Sequence, residues 1–224
     1  MTMMEQNPNP EISVARRRSR IGMVIVLSVV VLIGAGAWTL LREMQQRERT
    51  RPEDLLADFG PVPNAALTER SGKPLALGSL KGKIWVASFI FTKCGGSCPA
   101  MSLKMRDLQT SLDKAGDVKL VTFTVDPDND TPQRLNEYAK VYDAKPDRWL
   151  FLTGQKAQMQ DLAKNSFHLT VEEGTDPNEP IIHSKRFVLV DQEGHIRGYY
   201  NSEEDEAKQK LLTDIGTLMR GDGR

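Results

Sequence analysis

Residues 84–99 read IWVASFIFTKCGGSCP, and the rest of the chain is best read outward from them. Ile84 to Phe91 is an uninterrupted apolar run of strand length, which places it at the centre of a sheet. Behind it, Thr92-Lys93-Cys94-Gly95-Gly96-Ser97-Cys98-Pro99 reads as a loop. Met101, Met105, Leu108 and Leu112 then recur at helical spacing on one face, before Gly116 ends the helix.

Downstream, Val118 to Val125 has strand character, and Asp126-Pro-Asp-Asn-Asp-Thr-Pro132 leads into a helix with Thr131 at its N-cap and Pro132 in its first turn. The β-α-β-α order predicts parallel strands. Trp149 to Leu152 is a third short strand, followed by a helix from about Gln155 to Asn165 with Met159 and Leu162 inward. Residues 172–180 read as an acidic, turn-rich loop. After it, His183 to Val190 and Ile196 to Tyr200 flank a Gln-Glu-Gly turn as a hairpin. The last helix carries Leu211, Leu212, Ile215 and Leu218 as its apolar stripe, with Ser202 and Asp205 spaced like a capping box. Upstream, Gly72-Lys73-Pro74 is a turn between two short extended pieces. The expected architecture is α/β, a central mixed sheet with helices on both faces.

The chain has 224 residues, with 30 Lys plus Arg against 30 Asp plus Glu. Zero formal charge argues against nucleic acid as a partner. The distribution is uneven: residues 1–20 carry Arg16, Arg17, Arg18 and Arg20 against Glu5 and Glu11, a net of +2. They read as a polar tail. Ile21 to Leu41 contains no charged residue, and as a helix it would extend about 32 Å, enough for a bilayer core. A single transmembrane anchor is expected at 21–41, with Trp38 suited to the interface. Ala35-Gly36-Ala37 also has the form of a signal-peptide cleavage site. The denser arginines before the anchor favour a cytoplasmic N terminus, a stalk at 42–58 and an extracytoplasmic domain at 59–224.

Two cysteines and one histidine carry the informative chemistry. A disulfide between Cys94 and Cys98 would close too small a loop to stabilise the fold much, and helical i,i+4 geometry suits it poorly. A loop between a strand end and a helix N-terminus favours thiolates. Two thiolates form a soft donor pair for Cu(I) or zinc, and an iron–sulfur cluster would need more cysteines. Redox exchange suits the same pair. A third ligand would come from elsewhere: His183, at the entrance of a predicted strand, or His168. His195 reads as a turn residue, and Met101 and Met105 as core.

FTKCGGSCPAM, DPDNDTP beginning 28 residues after Cys98, and IIHSKRFVLVDQEGHIRGYY together resemble the Sco/SenC family over about residues 59–218. The resemblance implies a membrane-anchored, thioredoxin-like domain that helps build the copper sites of cytochrome c oxidase. It implies that Cys94, Cys98 and His183 hold one copper ion, as Cu(I) or Cu(II), and that Asp126 matches an acidic position near that site. The implied partners are an apo oxidase subunit and an upstream copper donor, at the cell membrane, in the role of a metallochaperone rather than an enzyme. One departure stands out: the family usually has Pro after the first cysteine, and this chain has Gly95-Gly96, which should loosen the loop. Three other roles suit the same residues: a thiol–disulfide reductase using Cys94 and Cys98, a copper or redox sensor, and a Cys2His zinc site.

Overall fold

The computed structural model describes residues 32–42, 56–176 and 179–221. The chain divides into two compact units, 1–52 and 53–224. In the first, residues 32–42 form a helix, α1. Within it Thr39 Oγ1 donates to the Gly36 carbonyl (2.9 Å), and the Arg42 guanidinium lies 5.4 Å from the Trp38 ring centre. The rest of the expected anchor, the tail at 1–20 and most of the stalk lie outside the described residues. Among the described residues no helix is long and apolar enough to cross a membrane.

The second unit is built on a seven-stranded sheet in the order β2-β1-β5-β4-β3-β8-β9. Its strands are β1 (Ala66–Glu69), β2 (Pro74–Ala76), β3 (Trp85–Ile90), β4 (Lys119–Thr124), β5 (Trp149–Thr153), β8 (Arg186–Val190) and β9 (Ile196–Asn201). The cysteine-bearing region follows β3, every residue of which is buried. As the β-α-β-α order requires, β3, β4 and β5 run parallel, and the remaining neighbours are antiparallel. The sheet is therefore mixed.

Alternation along β3 sends Trp85, Ala87 and Phe89 to one face and Val86 to the other. On the Val86 side pack α2 (Ser97–Ser111), α3 (Pro132–Val141) and α5 (Ala207–Arg220), through Met101, Met105, Leu108, Leu135, Ala139, Leu211, Ile215 and Leu218. Met101 and Met105 are thus core residues. On the Trp85 side lie α4 (Lys156–Asp161), continued by a π-helical turn at Leu162–Ser166, and the hairpin of β6 (Val171–Asp176) and β7 (Glu179–His183). Phe167 sits at the centre of this layer, its ring centre 6.0 Å from Trp85, 5.2 Å from Phe89 and 5.4 Å from Phe123.

Four local expectations need correction. The acidic stretch at 172–180 belongs to a hairpin rather than a loop: β6 and β7 pair antiparallel, with an irregularity between Glu173 and Asp176 that the sequence pattern does not reveal. His183 ends β7 instead of opening the following strand, because Ser184 turns away to donate its N–H to the Thr170 carbonyl (3.0 Å) and β8 begins only at Arg186. The last helix starts at Ala207, with Glu206 at its N-cap and no side-chain cap. Ser202 is instead buried, donating its N–H to the Lys185 carbonyl, while Asn201 turns the chain by accepting from the N–H of Glu203 and Glu204. Finally, Cys98 stands inside the first turn of α2, so only Cys94 belongs to the loop.

Candidate functional site

The strand carrying IWVASFIF ends at Ile90, and the chain folds at once into a tight turn. The Cys94 N–H donates to the Phe91 carbonyl (3.3 Å), leaving Thr92 and Lys93 as the turn's central residues. Both are held by the segment that follows the neighbouring parallel strand. The Thr92 N–H donates to Asp130 Oδ2 at 3.1 Å, and its hydroxyl donates to the same carboxylate. Thr124, at the end of β4, donates to Asp130 Oδ2 from the other side (2.6 Å). Lys93 Nζ donates to Asn129 Oδ1 (2.9 Å), and Asn129 Nδ2 donates to both Asp126 oxygens (3.1 and 2.9 Å).

Asp130 is wholly buried. Burial pushes its carboxyl up from the usual range, against the hydrogen bonds from Thr124 and Thr92 that favour the anion, and nearby Asp126 adds to the upward push. Sequence reasoning picked Asp126 and missed Asp130. Nothing in DPDNDTP distinguishes its three aspartates by type; only the fold decides which one turns inward.

Past the turn, Gly95 and Gly96 are exposed and α2 begins at Ser97 without a side-chain cap. Cys98 is fully buried and Cys94 nearly so, both against the Trp85-side core, and no disulfide joins them. Opposite stands His183, only 8% exposed, brought in by the end of β7. Its Nε2 lies 3.0 Å from Cys98 Sγ, its Nδ1 lies 3.2 Å from the Ser184 carbonyl, and its ring meets Phe91 edge-on at 5.9 Å. A carbonyl only accepts, so Nδ1 carries the proton in the neutral ring and the Nε2 lone pair faces the sulfur. Such backbone anchoring of one ring nitrogen is the usual support of a metal-binding imidazole.

Of the residues singled out from sequence, the structure brings Cys98 and His183 into contact and seats Cys94 in the same buried cluster as Cys98. Asp126 reaches the cysteine turn through Asn129 and Lys93. It also lines a cleft of about 380 Å³ with Lys156, Lys164, Val171 and Ile181. Among the described residues no three His, Cys, Asp or Glu side chains are gathered tightly enough to clasp an ion as they stand. His168 is exposed, with φ +50°, just past the π-helical turn. His195 is a partly exposed turn residue whose Nδ1 lies 2.9 Å from Asp58 Oδ2.

A strand, a cysteine turn and a helix whose first turn carries the second cysteine, set in a mixed sheet with helices on both faces, define a thioredoxin-like dithiol domain. A family model described as SCO1/SenC matches residues 62–220. The chain belongs to that family. It is 36% identical over 148 residues to the SCO1 protein homolog of Bacillus subtilis, covering 65% of this chain and 76% of the relative. A Stutzerimonas stutzeri relative named "Putative copper-binding protein" is 31% identical over 158 residues, covering 69% of this chain and 76% of its own. Among solved structures, BsSco, titled as a member of the Sco family of cytochrome c oxidase assembly proteins, superposes with a TM-score of 0.66 at 32% identity, over 73% of this chain and 97% of that one.

Proposed function

We propose that this chain is a membrane-anchored copper chaperone, which holds one copper ion on Cys94, Cys98 and His183 and passes it to an apo cytochrome c oxidase. The observation that carries the reading is His183 Nε2 held 3.0 Å from Cys98 Sγ, one turn of chain from a second buried thiol. Two sulfurs and one imidazole form a soft donor set that suits copper. The relative named for copper binding and the oxidase-assembly relative support the choice of cargo and recipient. In this reading the charge-free segment 21–41 is the anchor, and the denser arginines before it favour a cytoplasmic N terminus with the dithiol domain on the other side of the membrane.

Transfer follows from an open site. Exposed Gly95-Gly96 gives a partner's thiolates or imidazoles an approach beside the sulfurs, so ligands are exchanged one at a time without releasing the ion to water. A second reading rests on the same pair: Cys94 as attacking thiol and Cys98 as resolving thiol would make the domain a reductase for an oxidase subunit's cysteines.

The deciding measurement is anaerobic Cu(I) competition titration of the full chain in detergent, with zinc as a rival, beside His183→Ala and a Cys94→Ser/Cys98→Ser double variant. One tightly bound copper is expected. His183→Ala should weaken it at least about tenfold, the lower limit for losing even an outer-shell partner, and the double variant should abolish it. Copper binding indifferent to His183, in a chain that still reduces a protein disulfide, would establish the reductase reading instead.

A further inference from the structure

The two residues at the centre of the cysteine turn are each gripped by one residue of the segment after β4. Lys93 is tied to Asn129, and Thr92 is tied through both its N–H and its hydroxyl to the buried Asp130. Asp130 is itself anchored to the sheet by Thr124 and, through its own N–H, to the Asp126 carbonyl (2.9 Å). On the outer side Arg134 Nε, in the first turn of α3, donates to the Thr92 hydroxyl at 3.0 Å, so that oxygen donates inward and accepts from outside. Gly95 and Gly96 are exposed, and two glycines in succession leave the backbone its widest choice of conformations.

We infer that Asp130 is a positioning residue for the dithiol: by clamping Thr92 it fixes Cys94 relative to Cys98 from the strand side. The consequence concerns effective concentration. Two thiols react with one another, or close on a shared ion, in proportion to how often they meet. Releasing Thr92 widens the volume Cys94 explores, while Cys98 stays fixed in α2. Asp130 is buried and Thr92 half-buried, so water screens the clamp only in part, and two hydrogen bonds from one residue to one carboxyl group hold it together. This rests on the reading of Cys94 and Cys98 as the working pair, whichever of their two chemistries prevails.

The test uses the full chain in detergent, with Thr92→Val, Thr92→Ser and Asp130→Asn, and Leu211→Ala in α5 as a destabilised control outside the hydrogen bonds of the clamp. Two quantities are read on folded protein: the Cys94–Cys98 disulfide equilibrium against glutathione, which needs no metal, and Cu(I) affinity by competition. Thr92→Val and Asp130→Asn should each lower the disulfide equilibrium constant about tenfold, a potential about 30 mV more oxidising. Copper affinity should fall in step. Thr92→Ser, which keeps the hydroxyl, should match the wild type, and Leu211→Ala should lose thermal stability without moving either quantity. The inference is overturned if Thr92→Val and Asp130→Asn shift the melting temperature alone, as Leu211→Ala does, or if Thr92→Ser shifts the equilibrium as far as Thr92→Val. Loss of copper binding in the wild type would sink the chaperone reading and leave the clamp to be judged on the glutathione equilibrium.

Discussion

Cys98 and His183 stand 85 positions apart in the chain and meet at 3.0 Å, and single side chains of that kind govern the chemistry here. Electrostatics at residue scale can be read at a site remote from the sulfurs. Asp117 lies between Lys119 and Lys83, whose ammonium groups donate to its carboxylate and hold its pKa at about 2, below the ordinary 3.8. A depressed folded-state pKa stabilises above the unfolded value, and that gain fades as pH falls towards the folded one. Asp117→Asn is therefore expected to melt below the wild type at pH 7, with the gap closing between about pH 4 and about pH 2. Because Asp117 is about half exposed (56%), raising the salt concentration should shrink the gap at pH 7. Thermal melts at three pH values and two salt concentrations check both statements.

At the scale of elements, the decisive junction is the one between β4 and α3. Within seven residues the segment supplies the Asn129 and Asp130 contacts to the cysteine turn and then starts a helix, with Thr131 Oγ1 accepting the Arg134 N–H (3.3 Å) and Pro132 in the first turn. Thr131→Ala removes that cap and should cost about 1 kcal/mol, measured by urea denaturation with an unchanged slope. The same junction holds Arg134 against Thr92. Fraying the start of α3 should therefore also loosen the cysteine turn, visible as faster alkylation of Cys94 in the reduced protein. Equal alkylation rates in Thr131→Ala and wild type would show that the cap and the turn are independent.

Across the whole molecule, the sheet separates two cores. The Val86 side is closed by three helices, with Met101 and Met105 of α2 in one cluster with Trp149, Phe151 and Phe187. The Trp85 side is centred on Phe89, Phe123 and Phe167, and it carries both cysteines and the hairpin that delivers His183. Phe167 is fully buried and sits where the π-helical turn hands over to the hairpin. Phe167→Ala should cost about 3–5 kcal/mol. It should also lower copper affinity, since the cavity lies under the elements that hold His183 in place. Unfolding free energy paired with a Cu(I) titration tests this; a stability loss with unchanged affinity would show that the hairpin is held by its own pairing.

What could be read from sequence follows from how local each signal is. The apolar run at 84–91, the helical stripe behind the cysteines, Thr131-Pro132 as a helix start and the parallel strand order all rest on neighbours within a few residues, and the structure bears them out. The Cys-x-x-x-Cys spacing and the resemblance carried by the motifs were equally legible, because spacing is a property of the chain itself. The hairpin at 171–183 was hidden, since acidic residues and prolines look like loop when their pairing partner is unknown. So was the choice of Asp130 over Asp126 as the inward carboxylate, along with the clamp it forms on Thr92. Those were decided by tertiary structure, because an aspartate faces inward only where donors from a neighbouring strand's end repay its lost hydration. The sequence alone determined which residues could do chemistry. The packed sheet determined which of them meet.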